Sequence, residues 1–282
     1  KPQFFTDDNT GTRIIISKLN APLTKAEVRR LHRNVQSIIS PFEYREFKID
    51  SKASDFAVGL KVEGHPEWTD DLLDMQQIID QAIFKFTFLI ADGKWSWFYE
   101  FSPTEALKKA FKVQPNKQAA NDELFEFINK EYRDAYSKNP ESFFDDLGPI
   151  MGEIYVFDFD AEVKKFYDEA GAIKQFLSEN KGIRVYRDGI RVYNYGEPHD
   201  DWLEMDRSRV QRIAVNLNRD ITVGAISLDL EKTTQLIEKT NREGFIENDA
   251  FRKLKAVTQS AIDKFQKLRL IDKDRLRAAT QS

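Results

Sequence analysis

Two apolar runs joined by a short turn restrict the possible folds of this chain more than any other feature. The run 83–90 has bulky apolar side chains on both of the faces that a strand would present, so we expect both faces to be covered. Asp92-Gly93 is a typical two-residue hairpin turn, and 94–101 returns as a second strand. A sheet that is covered on both faces needs outer layers of helices. The sequence therefore predicts an α/β fold, an α+β sandwich of mixed sheets with covering helices.

A helix is predicted near the beginning of the chain. Thr24 and Glu27 have the spacing of a capping box, in which each side chain accepts a hydrogen bond from the backbone N–H of the other residue. Pro41 ends this helix. Its core-facing stripe follows at helical spacing and consists of Val28, Leu31, Val35, Ile38 and Ile39.

The composition excludes several classes of function. The chain has no cysteine, which rules out disulfides, thiolate catalysis and cysteine zinc sites. A net charge of −4 argues against a general polyanion binder. No apolar run approaches the ~20 residues that span a bilayer, and no signal-like start is present. We therefore expect a cytoplasmic protein with no membrane partner.

The clearest hairpin signal lies in the range 182–196. With Asp188-Gly189 as a two-residue turn, Val185 faces Val192 on one side of the hairpin. The other side carries crossed tyrosine–arginine pairs, which can stack: Tyr186 with Arg191, and Arg184 with Tyr193. We interpret this side either as a rigid docking surface for a partner or as a solvent-exposed face without a function.

An acidic motif follows another apolar run. The segment 154–160 resembles the haloacid-dehalogenase signature, in which an apolar strand ends in Asp-x-Asp. The resemblance implies that Asp158 attacks phosphorus and that Asp160 transfers the proton. The family pattern continues with Gly-Thr or a close equivalent, whereas this chain has Ala161-Glu162, and Glu162 would repel a phosphate group. The alternative is a strand end that caps the next helix.

The loop 239–248 places an arginine between a predicted strand and a predicted helix. The apolar run 223–230 ends before it, and the helical pattern begins just after Glu247. Arg242 lies in this loop, and the planar, permanently charged guanidinium group suits phosphate binding and charge stabilisation during phosphoryl transfer. The alternative is an ordinary solvated loop arginine.

The order of these elements resembles a known family. An apolar strand, an acidic loop, Asn-Arg-Glu at 241–243 and an amphipathic helix are similar to the middle segment of the ninety-kilodalton heat-shock chaperone. The segment 9–16 is similar to the strand that closes the GHKL ATPase domain, and 182–189 resembles bacterial, MORC-like GHKL ATPases. Together these resemblances cover about a third of the chain.

The resemblance implies a transducer region that senses ATP. Arg242 would reach the terminal phosphate of ATP bound by a neighbouring domain, Lys239 would be a second phosphate contact, and the loop would be shaped by Asn241, Glu243 and Gly244. We expect no cofactor on this chain alone, because no water-activating glutamate, magnesium-binding asparagine or adenine-binding loop can be assigned. ATP and magnesium are expected in a longer protein whose ATPase domain is encoded before Lys1.

The same resemblance implies partners and a division of the chain. The partners would be the chain's own N-terminal ATPase domain, a second copy in a nucleotide-dependent homodimer, and a protein client or DNA. Residues 1–18 would be the remnant of the closing strand, 19–180 a first α/β part, and 181–282 the transducer part. Two alternatives stay open: a binding module that uses the hairpin and the basic C-terminal helix, and a phosphatase that uses Asp158 and Asp160.

Overall fold

The computed structural model describes residues 13–38, 40, 60–68, 75–91, 94–145, 147–167, 169–197, 199–206, 217–241 and 243–281. Seven α-helices lie in these ranges: α1 (Lys25–Gln36), α2 (Met75–Ile79), α3 (Glu105–Phe111), α4 (Lys130–Ala135), α5 (Ala161–Lys164), α6 (Ala170–Asn180) and α7 (Asp249–Gln281). The seven strands are β1 (Phe84–Ala91), β2 (Lys94–Phe101), β3 (Asn116–Glu123), β4 (Ile150–Val156), β5 (Gly182–Arg187), β6 (Ile190–Val192) and β7 (Thr222–Leu228).

The seven strands form one mixed sheet in the order β3-β2-β1-β4-β7-β5-β6. All neighbouring pairs are antiparallel except β5 and β7, which run parallel. Strands from both sides of position 180, where the sequence predicted a boundary, therefore pair in the same sheet. This architecture confirms the predicted α/β fold with a mixed sheet and helices.

The long helix α7 covers one face of the sheet. The Phe265 ring stacks on the Phe86 ring of β1 with 5.2 Å between centroids. Thr87, on the opposite face of β1, is fully buried as well. Both faces of β1 are thus covered, as its continuous apolar run predicted. Among the described helices, none is both long and apolar enough to cross a bilayer.

Two local predictions are confirmed at atomic detail. The Thr24 hydroxyl accepts a hydrogen bond from Glu27 N–H (3.3 Å), and the Glu27 carboxylate accepts one from Thr24 N–H (2.8 Å). In the β5–β6 hairpin, Val185 pairs with Val192 and the turn residues have φ of 49° at Asp188 and 77° at Gly189. Two consecutive positive φ angles are typical of the hairpin turn that the Asp-Gly pair predicts.

The closing strand expected from the resemblance of residues 9–16 is not formed in the described part of that segment, from Arg13 onward. These residues have no strand assignment, and the side chains of Ile14, Ile15 and Ile16 are exposed. A strand needs a neighbouring strand to satisfy its backbone groups, and none of the described strands lies beside this segment.

Candidate functional site

The candidate loop, Lys239 to Gly244, is closed at its base by backbone hydrogen bonds. Lys239 N–H donates to Gly244 O (2.9 Å), and Glu238 and Phe245 form a β-bridge directly beneath. At the tip, Lys239, Asn241 and Glu243 are exposed. The base therefore holds the two ends of the loop together while the tip presents polar side chains to solvent.

Hydrogen bonds within the tip join two of the predicted site residues. The Asn241 side-chain amide donates to the Glu243 carboxylate (2.8 Å), and its oxygen accepts from Glu243 N–H (3.1 Å). Arg242, which lies between them in the chain, is outside the described residues. Asn241 and Glu243, the two chain neighbours of Arg242, are thus bonded to each other.

Gly244 occupies a position that other residues fit poorly. Its φ is +91°, in the left-handed region that glycine adopts without strain. A Cβ atom there would lie 3.0 Å from the Tyr195 hydroxyl oxygen. The glycine therefore allows both the turn of the chain and the close approach of Tyr195.

Tyr195 connects the loop to the segment that follows the β5–β6 hairpin. Its hydroxyl oxygen accepts a hydrogen bond from Phe245 N–H (2.8 Å), and the two rings stack with centroids 5.7 Å apart. Burial raises the pKa of Tyr195 to about 12. The phenol therefore stays protonated at neutral pH and introduces no charge beneath the loop.

Arg187, the last residue of β5, holds the segment that leads into the loop. Its guanidinium group is buried and donates to the backbone oxygens of Leu236 (2.9 Å) and Thr233. It also lies 3.2 Å from a Glu238 carboxylate oxygen and 5.7 Å from the centroid of the Phe245 ring. Charge-assisted bonds of this kind are stronger than neutral ones, so the base of the loop is fixed to the central sheet.

Asn248, which follows the loop in the chain, connects it to the start of α7. Its side-chain oxygen accepts from Phe251 N–H (2.9 Å), which is the N-cap interaction expected of an asparagine at a helix start. Its side-chain amide donates to Gln235 O (2.8 Å). One residue therefore caps α7 and ties the chain before the loop to the chain after it.

The hairpin residues predicted as an exposed docking surface are mostly buried. The exposed fractions are 5% for Arg184, 0% for Tyr186 and 6% for Arg191, against 42% for Tyr193. The expectation of an exposed face is wrong for the first three residues: Arg184 and Tyr186 belong to β5, an interior strand between β7 and β6, and Arg191 on the edge strand β6 is in contact with Ser37 after α1.

The end of α1 contacts this side of the hairpin. Arg191 donates to the Ser37 hydroxyl (3.0 Å), and the Tyr186 hydroxyl donates to Ser37 O (3.3 Å). Backbone pairing continues this contact, since Arg191 N–H donates to Ile38 O (2.9 Å). The hairpin therefore binds a segment of its own chain.

The Asp-x-Asp motif lies at the end of β4, beneath α7. Asp158 is 1% exposed, and one carboxylate oxygen accepts Asp160 N–H (2.9 Å) while the other lies 3.1 Å from Lys273 Nζ. Asp160 is 3.2 Å from the same ammonium group and makes no side-chain bond to cap α5. These carboxylates hold α7 on the sheet, and the capping interpretation is wrong for the Asp160 side chain.

This ion-pair cluster leaves no free nucleophile. Partial burial opposes ionisation of Asp160, but Lys273 and Arg277 outweigh it and hold the pKa of Asp160 below its usual range. Asp158 has both carboxylate oxygens engaged and almost no exposed surface. Attack on a phosphorus atom needs an accessible oxygen, so this geometry does not favour the phosphatase interpretation.

No protein-family model, curated protein or solved structure matches this chain. Within the described ranges, no group of three or more histidine and acidic side chains is arranged to hold a metal ion. The sequence does not predict that Arg187 and Tyr195 support the loop, since their partners lie about fifty residues away along the chain.

Proposed function

We propose that this chain is the transducer region of a GHKL-type, heat-shock-chaperone-like ATPase, and that Arg242 contacts the terminal phosphate of ATP held by a preceding domain. The observation that supports this proposal is the fixed base of the 239–244 loop. Its flanking backbone is bonded to Arg187 and Tyr195, while its tip is exposed. A residue that detects one phosphate group has to be presented from a backbone of defined position, because small displacements weaken such contacts strongly.

The charges of the tip are consistent with this role. Lys239 is exposed and lies three residues before Arg242 in the chain, whereas Glu243 is bonded to Asn241. A cation that touches the terminal phosphate distinguishes ATP from ADP and so couples nucleotide state to domain closure. The chain would relay that closure to a second copy, a protein client or DNA.

The other two candidate functions have less support. A binding module that uses the hairpin and the basic C-terminal helix would need accessible arginine and tyrosine side chains on the hairpin, and three of the four are buried. A phosphatase would need an accessible Asp158, whose carboxylate is occupied by Asp160 and Lys273. No observation favours either of them over the transducer.

The decisive experiment is ATP hydrolysis by the longer protein that the proposal requires. Arg242→Ala should lower turnover by at least about tenfold and leave the free energy of unfolding within about 0.5 kcal/mol. Arg242→Lys should restore turnover only partly, because lysine lacks the bidentate fork of arginine. The matched control is Arg252→Ala, which removes an exposed arginine that pairs with Asp249 at the start of α7. Unchanged turnover in folded Arg242→Ala protein would refute the proposal.

A further inference from the structure

The two edges of the sheet differ in how the chain covers them. At one end, β6 has three residues, and the segment after α1 bonds to its hairpin: Arg191 N–H donates to Ile38 O (2.9 Å) and Ser40 N–H to Gly189 O (3.2 Å). At the other end, β3 pairs with β2 along all eight of its residues, and none of the described strands pairs with its outer side. An edge strand presents backbone N–H and C=O groups to which another strand can bond.

The strand β3 is held in a defined position by contacts on one of its faces. Near its start, the Asn116 side-chain amide donates to the Asp272 carboxylate of α7 (2.8 Å). Near its end, Asp122 accepts from the Trp97 indole N–H (2.7 Å) and lies 3.7 Å from Lys264 Nζ of α7. The register with β2 is unbroken, and β3 contains no proline, so each of its residues has a backbone donor. This edge is therefore regular and fixed at both ends.

The opposite face of β3 is exposed and carries charges of opposite sign at its two ends. Side chains alternate along a strand, so the odd-numbered residues from Lys117 to Glu123 share this face, and all four are exposed. Lys117 lies 2.8 Å from a Glu100 carboxylate oxygen of β2, and its side chain is still 60% exposed. The exposed face of β3 is thus basic at its start and acidic at its end.

We propose that β3 pairs antiparallel with β3 of a second copy of this chain, which joins the two sheets into one. A two-fold axis perpendicular to the sheet keeps equivalent faces on the same side, so a residue can lie opposite only residues of its own face. With Ala120 on the axis, Lys117 of each copy lies opposite Glu123 of the other. Opposite charges that face each other across two strands stabilise the pairing, whereas an in-register parallel pairing would place like charges together.

The same arrangement limits the assembly to two copies. Antiparallel pairing uses the β3 edge of both copies, and the β6 edge of each is bonded to the segment after its own α1. A closed two-fold contact of this kind leaves no edge from which a fibre could grow. The interface uses no residue of the 239–244 loop. The dimer therefore forms without nucleotide, and it does not depend on the function proposed for that loop.

Analytical ultracentrifugation of this chain without nucleotide, from about 1 to about 200 μM, tests the interface. The average mass should rise from that of one chain towards that of two. Lys117→Glu and Glu123→Lys should each raise the dimer Kd at least about tenfold, because each places like charges opposite each other at two points. An equimolar mixture of the two variants should dimerise again, since one carries acidic and the other basic side chains at both ends of β3. The control Lys174→Glu makes the same charge change on α6, which packs against β7, and should leave Kd unchanged.

Hydrogen exchange of the wild-type chain locates the contact. The backbone amides of 116–123 should exchange more slowly at high protein concentration than at low concentration, because pairing protects those on the outer edge. If Lys117→Glu does not fold without its pair to Glu100, then Glu123→Lys and this measurement decide the question. A single-chain mass at the highest concentration, a dimer whose Kd neither charge variant changes, or a mixture of folded variants that stays monomeric would overturn the proposal.

Discussion

Tyr195 and Phe245 lie fifty residues apart in the chain, and the Phe245 N–H donates a hydrogen bond of 2.8 Å to the Tyr195 hydroxyl. This contact joins the segment after the β5–β6 hairpin to the base of the 239–244 loop. The hairpin is in turn bonded to the end of α1 through Arg191 and Ser37. Hydrogen bonds therefore run from the end of α1 through Arg191 and Tyr195 to the base of the loop.

Tyr195→Phe should lower the free energy of unfolding by about 1–3 kcal/mol, because the buried Phe245 N–H loses its acceptor. Chemical denaturation measures this change, and faster hydrogen exchange of the Phe245 amide would place it at the base of the loop. Tyr193→Phe is the matched control: Tyr193 is exposed, so stability should change by less than about 0.5 kcal/mol. Equal effects of the two variants would contradict the role assigned to Tyr195.

Gly244→Ala should destabilise the chain by about 1–2 kcal/mol, since the added Cβ forces a side chain into a positive φ and towards the Tyr195 hydroxyl. The control is Gly171→Ala in α6, where an added Cβ meets no atom of the described residues within 4 Å and φ is not positive. That change should leave the Tm unchanged or raise it slightly. A Gly244→Ala protein as stable as wild type would show that the loop tolerates another backbone path.

Asp160→Asn should remove a pH-dependent part of the stability. Because the pKa of Asp160 is lowered in the folded chain, its contribution is present above the usual carboxyl pKa of about 4 and is lost as pH falls through the lowered value. The side chain is partly exposed, so we expect less than about 1 kcal/mol at pH 7. Urea denaturation at pH 7 and about pH 2 measures it, with the exposed Asp134→Asn as control. A difference between Asp160→Asn and wild type that persists undiminished at the acidic pH would refute this assignment.

The chain should not hydrolyse a generic phosphomonoester with or without magnesium, because Asp158 is buried and paired. Asp158→Asn should instead reduce stability by about 3–5 kcal/mol, since it leaves the largely buried Lys273 ammonium without one of its partners. Thermal melts and a colorimetric phosphatase assay measure the two effects. Magnesium-dependent turnover that disappears in Asp158→Asn would restore the phosphatase interpretation.

Local rules explain the parts of the fold that the sequence predicts well. The register of the β5–β6 hairpin follows from Asp188-Gly189, because only a few residue pairs adopt two positive φ angles in succession. The start of α1 follows from Thr24 and Glu27, whose side chains bond backbone groups three residues away. The exposure of Lys239, Asn241 and Glu243 follows likewise from a polar run between a strand and a helix.

The surroundings of the candidate sites depend on tertiary structure. The hairpin sequence predicts a polar, aromatic face, but the parallel pairing of β5 with β7 and the contact with Ser37 bury Arg184, Tyr186 and Arg191. The contacts of Arg187 with Thr233 and Leu236 span nearly fifty residues. Short-range preferences fix which way side chains alternate along a strand. Whether a face meets water or another layer depends on which distant segments bury the most apolar surface together, and no local pattern contains that information.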